Sequence, residues 1–344
     1  MNAMIGLPNV DDAILSVSDL RIEFRIRRKF GFDSDKLHAV NGVSFSIRRG
    51  ETLGLVGESG CGKSSLGRAI LGLHEPSGGS VRLDGQELVG LSRRQRRPTC
   101  RRMQVVFQDP FASLDPRMSI HDIIAEPLLI NQVYSAARVA EMIACVGLTP
   151  DAAARKPAEF SGGQRQRIAI ARALALGPEV MILDEAVSAL DVSIQAQIIN
   201  LLMRLQREMG LAYLFISHDL SVVRHISHKV AVMYLGRIVE IGSRDQVFDS
   251  PQHPYTQSLM SAKSPPDPTS RHERRRIVLQ GDLPNPLSPP SGCSFRTRCF
   301  KAQPDCAKDR PELILHGGGH LAACHFAGPL DPSTIKKQNF MATA

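Results

Sequence analysis

The 344 residues are 43% hydrophobic and carry a net charge of +8, which excludes global disorder and fits about two globular domains. The basic excess is modest and local, with six arginines between Arg93 and Arg102 and four between Arg271 and Arg276. Both groups read as solvated surface in preference to a lipid or nucleic-acid contact. There is no apolar run of about 18 residues, and the N-terminus has acids where a secretory signal has basic charge, so a soluble cytosolic chain is expected, its seven cysteines outside any disulfide framework.

Short apolar runs predict strands over Ile14–Val17, Ala39–Ile47 and Thr52–Val56. The last of these runs straight into Gly57-Glu58-Ser59-Gly60-Cys61-Gly62-Lys63-Ser64-Ser65 and a helical run, Leu66 to Leu71. The pattern G-x-x-x-x-G-K-[ST] is met by Gly57, Gly62, Lys63 and Ser64, and each position has work to do around a triphosphate. Glycines let the backbone wrap closely, loop amides and the helix N-terminus face the phosphates, Lys63 adds a point charge, and Ser64 offers a hydroxyl to Mg²⁺. Turn signals at Gly78-Gly79 and Asp84-Gly85 predict a hairpin around Ser80 to Leu83, followed by a strand from Met103 to Phe107.

Helical spacing then dominates, with Ile120, Ile123, Ile124 and Leu128 on one face and Val139, Met142, Ile143 and Val146 on another, so a helical insertion is expected over about residues 111–165. A helix from Gln164, a strand over Val180–Leu183, a helix over Asp191–Met209 and a strand over Ala212–Ile216 alternate as a parallel sheet between helices requires. After Asp249, Pro-rich stretches at 265–268 and 284–290 lead to four cysteines, which reads as a linker and a small appended domain.

Asp184 and Glu185 end the apolar strand at its carboxyl end, where open α/β sheets bind ligands. Asp184 is expected to hold Mg²⁺, and Glu185 to polarise the attacking water. Phe160-Ser161-Gly162-Gly163-Gln164 forms a turn entering a helix between these two motifs.

FSGGQRQR followed by MILDEAVSALD resembles the signature and second nucleotide motif of ATP-binding-cassette (ABC) ATPases. The resemblance implies an α/β P-loop NTPase cassette over 1–255, with a RecA-like parallel core, an antiparallel β subdomain and a helical subdomain. A small Cys-containing extension over 256–344 follows. It further implies that Ser161, Gly162, Gly163 and Gln164 meet the nucleotide of a second subunit, and that Gln108 links Mg²⁺ and water to the helical subdomain. Ser188 to Asp191 would cross the dimer interface, and His218 would act as the switch at the γ-phosphate. Phe24 is the residue expected to stack on adenine, with Phe30 and Phe32 as alternatives. Ala186 stands where the family commonly has proline after the acidic pair, which implies local loop adjustment without loss of hydrolysis.

VNGVSFSIRRGETLGLVGESGCGKS, VFQDPFASLDPRMSIHDIIAEPL and HPYTQSLMSA resemble the oligopeptide and dipeptide importer ATPases, closest to their F component. That resemblance implies a peripheral motor on the cytoplasmic face of the inner membrane. Its partners would be a different second ATPase subunit, two permeases and, indirectly, an extracellular binding protein, with no nucleic acid. Phe111 to Pro127 would receive the permease's coupling helix. Import of nickel or another small solute remains open, as do a non-transport soluble cassette ATPase and a metal-sensing regulator.

Cys293, Cys299, Cys306 and Cys324 stand with gaps of 5, 6 and 17 residues. Four thiolates suit an iron–sulfur cluster or tetrahedral zinc. The resemblance adds a 4Fe-4S cluster seen in some members; zinc and unmetallated thiols are the alternatives, with His320 and His325 as substitute zinc ligands.

Overall fold

The computed structural model describes residues 12–27, 34–109, 113–262, 277–279 and 281–329. Its strands are β1 (Ala13–Arg27), β2 (Ser34–Arg48), β3 (Thr52–Val56), β4 (Gly78–Leu83), β5 (Gln86–Glu87), β6 (Met103–Val106), β7 (Val180–Asp184), β8 (Ala212–Ile216), β9 (Lys229–Tyr234), β10 (Arg237–Ser243), β11 (Ile314–Leu315) and β12 (Leu321–Ala322). One antiparallel sheet has the order β2-β1-β4-β5, and a second sheet runs β11-β12-β10-β9-β3-β8-β7-β6. In the second sheet, β9, β3, β8, β7 and β6 are parallel neighbours.

Alternation explains why the central strands read as unbroken apolar runs. Met181 and Leu183 of β7 join one buried cluster with the helical region, while Val180 and Ile182 join the other with the antiparallel sheet. Successive side chains point to opposite faces, and both faces are covered. β1 and β2 are each 15 residues long, well beyond the short strands expected, and their pairing continues to Arg27↔Ser34. Residues 28–33, with Phe30 and Phe32, lie outside the described residues.

The helical insertion contains helices Ile120–Ile130 and Ala136–Cys145. Ser119 and Ser135 cap them by accepting from the amides of Asp122 and Arg138 at 3.1 and 3.3 Å. The two expected apolar faces are buried throughout, from Ile120 to Leu128 and from Val139 to Val146, against the helix Gly162–Leu174.

The arginine group at 93–102 is largely exposed over 94–102, in keeping with a solvated surface, and it also makes contacts that the sequence did not announce. It forms a helix with a Ser92/Gln95 capping box, and its guanidinium groups tie neighbouring elements together. Arg97 donates to the Ile130 carbonyl at 2.9 Å and Arg101 to the Asn131 carbonyl at 2.6 Å, satisfying the exposed end of the 120–130 helix. Arg102 pairs with Glu179 and Asp84. The second group, Arg271–Arg276, lies outside the described residues.

Beyond the cassette, the extension completes the main sheet: Ala322 and Leu321 of β12 pair with Glu240 and Ile241 of β10. The Glu240 carboxylate, fully buried, accepts from the amides of Gln252 and His253 and lies 2.7 Å from His320 Nε2. His253 caps the helix Pro254–Ser261 through its ring, Nδ1 accepting from the Tyr255 amide at 3.1 Å.

Burial pushes the His253 imidazole down from 6.5 to about 4, although Glu240 opposes the shift. The unfolded chain therefore binds the extra proton between these values, and stability falls as pH drops through that window, being fully present above 6.5. Urea midpoints measured across this range should decline toward acid, and His253→Asn, which keeps a capping acceptor without a titrating ring, should flatten the slope. An identical slope in the variant would assign the titration to another group.

Candidate functional site

Two glycines permit the loop. Gly57 has φ +156° and a Cβ there would sit 2.2 Å from the Met233 carbonyl; Gly62, at φ +107°, would meet the Ala39 carbonyl at 2.1 Å. Gly62 opens the helix Lys63–Ile70 with no side-chain cap, leaving first-turn amides for an anion. Lys63 Nζ, nearly buried, donates to the carbonyls of Gly57 at 2.8 Å and Glu58 at 3.0 Å. Cys61 is buried and its thiol is pushed up by that burial in spite of Lys63, which suits packing better than redox chemistry.

Ser64 Oγ donates to Asp184 Oδ1 at 3.0 Å. Burial raises the Asp184 pKa, with the Ser64 hydrogen bond and Arg68 acting against it. A hydroxyl and a carboxylate brought this close are hard oxygen donors, and they fit Mg²⁺ in chemistry. Glu185 follows in a left-handed conformation, φ 51°, of the kind that clusters at functional turns. Its Oε1 lies 3.3 Å from His218 Nδ1, and the carboxylate side chain is 17% exposed against 55% for the histidine. The structure thus joins Lys63, Ser64, Asp184, Glu185 and His218 across three elements that the sequence separates. Ala186 is buried behind the acidic pair, and the backbone there is held by the Glu185 amide on the Ile216 carbonyl at 2.9 Å.

A cleft of about 300 Å³ is lined by Ser59 to Ser65, by Phe24, Leu37 to Ala39 and Asn41, and by Glu185. Phe24 also stands edge-on to His74, centroids 5.3 Å apart. Leu235 to Arg237 and, from the extension, Pro286, Pro289, Ser294 and Arg310 complete the wall. None of these last residues was expected from sequence. Leu235 to Arg237 sit on a hairpin turn whose Gly236 amide bonds the Cys61 carbonyl, and the extension residues reach the cleft only through tertiary folding.

Gln108 is exposed just beyond β6 and does not line the cleft. Ser161, Gly162, Gly163 and Gln164 do not line it either. They open the 162–174 helix with a capping box and back onto Leu190 and Ile194. Within one chain, the signature turn and the phosphate loop are therefore separate surfaces.

All four extension cysteines are unpaired thiols. Cys299 is pushed up to about 12, chiefly by burial, with Cys324, Cys293 and Cys306 near enough to add to the effect. The amides of Lys301 and Phe326 lie 3.4 Å from the sulfurs of Cys299 and Cys324. Among the described residues, however, no three Cys, His, Asp or Glu side chains converge as a metal-holding group. His320 is committed to Glu240, and His325 to the Asp309 carbonyl at 3.0 Å, so neither stands as the substitute ligand expected. The expected 4Fe-4S cluster accordingly finds no support in this geometry.

Among the described residues, no helix is long and apolar enough to cross a membrane. Residues 40–188 match the family model for the ABC transporter, and 239–306 match the oligopeptide/dipeptide transporter C-terminal region. The chain is 50% identical to the oligopeptide transport ATP-binding protein OppF of Salmonella typhimurium, over 96% of this chain and 100% of that one. It is 48% identical to the dipeptide transport ATP-binding protein DppF of Escherichia coli, over 90% and 93% of the two chains. A solved dimer of the ATP-binding cassette MJ0796, in a post-hydrolysis state bound to ADP and phosphate, is 27% identical with a TM-score of 0.58, covering 67% of this chain and 98% of the other. A two-sheet cassette with its loop, acidic pair and histidine assembled, together with these likenesses, places the chain in the ABC transporter family as an ATPase subunit of the group bearing the oligopeptide/dipeptide C-terminal region.

Proposed function

We propose that this chain hydrolyses Mg²⁺-ATP to power import of oligopeptides or dipeptides, as a peripheral subunit on the cytoplasmic face of the membrane. The observation that carries the ATPase half is the joint placement of Ser64 on Asp184 and His218 on Glu185 beside the phosphate loop. Ser64 and Asp184 would hold Mg²⁺, which neutralises triphosphate charge when bound. Lys63 and the amides of the loop bind and orient the phosphates. Glu185 takes the proton of the attacking water, and His218, at hydrogen-bonding range of that carboxylate, keeps it aimed.

The second half of the site is proposed to come from another ATPase subunit, because Ser161 to Gln164 lie away from this chain's own cleft. In that arrangement the Ser161 turn closes over the partner's γ-phosphate. A permease's coupling helix would dock on the segment from Phe111 to Pro127, of which residues 111 and 112 lie outside the described residues. Peptide cargo is supported by the names of the 50%-identical transport proteins. The four extension cysteines are proposed as a set for an iron–sulfur cluster or zinc. Four cysteines in one short segment support it, their unconverged geometry and burial-raised thiols count against it, and no step of hydrolysis is routed through them.

Tagged chain drawn from detergent-solubilised membranes should bring a second ATPase and permeases with it. In that complex Ser161→Ala should lower ATP hydrolysis about tenfold or more, while ATP affinity of the isolated subunit stays the same. A chain that runs free of membrane partners at full rate favours the soluble-ATPase alternative.

A further inference from the structure

The phosphate loop is not held by the cassette alone. Glu58, its second residue, receives a two-pronged contact from Arg298 of the extension: Nη1 to Oε2 at 2.8 Å and Nη2 to Oε1 at 3.1 Å. The two side chains are 10% and 27% exposed, so the pair is shielded from water. The Glu58 amide donates to the Tyr255 hydroxyl at 2.9 Å, and its carbonyl accepts from Lys63 Nζ at 3.0 Å. Tyr255, fully buried, packs against Tyr234 and Phe295 with centroids 4.7 and 5.4 Å away. Phe295 belongs to the same short segment as Arg298, between Cys293 and Cys299.

Every polar group of Glu58 is therefore engaged, and of its four partners Arg298 and Tyr255 lie outside the loop while Lys63 and the Cys61 amide lie within it. Burial works against the charge on Arg298, but Glu58 and the nearby Tyr234 hydroxyl outweigh it, and the guanidinium stands above its ordinary pKa. A planar fork on a carboxylate fixes orientation as well as separation, which a single hydrogen bond does not. Displacing Arg298 would release the Glu58 side chain and leave Tyr255 as the one hydrogen-bond partner outside the loop, among the described residues, for this residue, whose carbonyl is one of the two anchors of Lys63.

We propose that Arg298 is a positioning residue for nucleotide binding: acting through Glu58, it holds the phosphate loop and Lys63 in the arrangement that receives a triphosphate. This rests on reading residues 57–65 as the ATP loop. Ser294 and Arg310 of the same extension line the cleft, so the extension serves as a wall of the nucleotide site. By linkage, a nucleotide that orders the loop also orders the segment from Cys293 to Cys299.

The test uses the full chain, with Mg²⁺-ATP titrated against wild type, Arg298→Gln, Glu58→Gln, the double variant and Arg298→Lys. Arg298→Gln is expected to weaken ATP binding about tenfold, Glu58→Gln by a similar factor, and the double variant no further than the weaker single. In the assembled complex, the loss should appear in KM rather than kcat, and Arg298→Lys should recover part of it. Bound Mg²⁺-ATP should also slow iodoacetamide labelling of Cys293 and Cys299 in wild type but not in Arg298→Gln. Affinity within twofold of wild type in a folded Arg298→Gln, or independent losses that multiply in the double variant, would overturn the proposal. Should Arg298→Gln fail to fold, Arg298→Lys and Glu58→Gln carry the same comparison. If wild type itself binds no Mg²⁺-ATP, the reading of residues 57–65 falls instead.

Discussion

Glu185→Gln is expected to cut ATP turnover by roughly 10² to 10⁴ while leaving nucleotide affinity unchanged. Glutamine has the same shape and retains an oxygen to face His218, 3.3 Å from the present carboxylate. It has no basic oxygen to take a proton from water, and the change removes only that capacity. The binding groups are elsewhere: Lys63, the loop amides, and the Ser64 and Asp184 oxygens 3.0 Å apart. Because Glu185 is held in a left-handed turn with its amide on Ile216, the substitution does not demand a new backbone conformation. Phosphate release and ATP binding, measured side by side, separate the two effects. Turnover equal to wild type would remove Glu185 from the role of base. An equal loss in affinity would mean that the carboxylate supports the nucleotide in its ground state.

The cassette was readable in the sequence wherever local pattern and tertiary burial agree. Residues 53–56, 180–183 and 212–216 read as continuous buried runs because both faces of these strands are covered. The phosphate loop was readable because its glycines answer a backbone requirement at fixed spacing, and the acidic pair because it closes a strand.

What escaped was long-range and brief. Arg298 meets Glu58 across 240 residues, and β12 is only two residues long, so no periodicity announces either. The arginines of the 93–102 helix show charge in the sequence, but the carbonyls they satisfy, at Ile130 and Asn131, carry no signal of their own. Gln108 was placed by motif, and its exposed position outside the cleft is a property of a loop that sequence order does not determine.

The attachment of the extension supplies the second large effect. His320→Ala is expected to lower stability by about 3 kcal/mol, because it strips a fully buried carboxylate of a side-chain partner. Glu240 keeps the amides of Gln252 and His253 at 2.8 Å each, which holds the cost to the lower part of the range for broken buried pairs. The imidazole also packs on Gly242, where even a Cβ would come within 2.8 Å of the ring, so its loss leaves a void beside the sheet edge. Charge and cavity can be told apart by placing Glu240→Gln in the His320→Ala background. An amide in place of the carboxylate demands less of the missing imidazole, and recovery of more than half the lost stability assigns the effect to the stranded carboxylate. No recovery would assign it to packing, and a single-variant loss under about 0.5 kcal/mol would mean that the pair does not anchor the extension. Since β12 enters the sheet at Glu240 itself, the loosening should also be visible as faster amide exchange at Ala323, whose amide bonds the Val239 carbonyl at 2.8 Å.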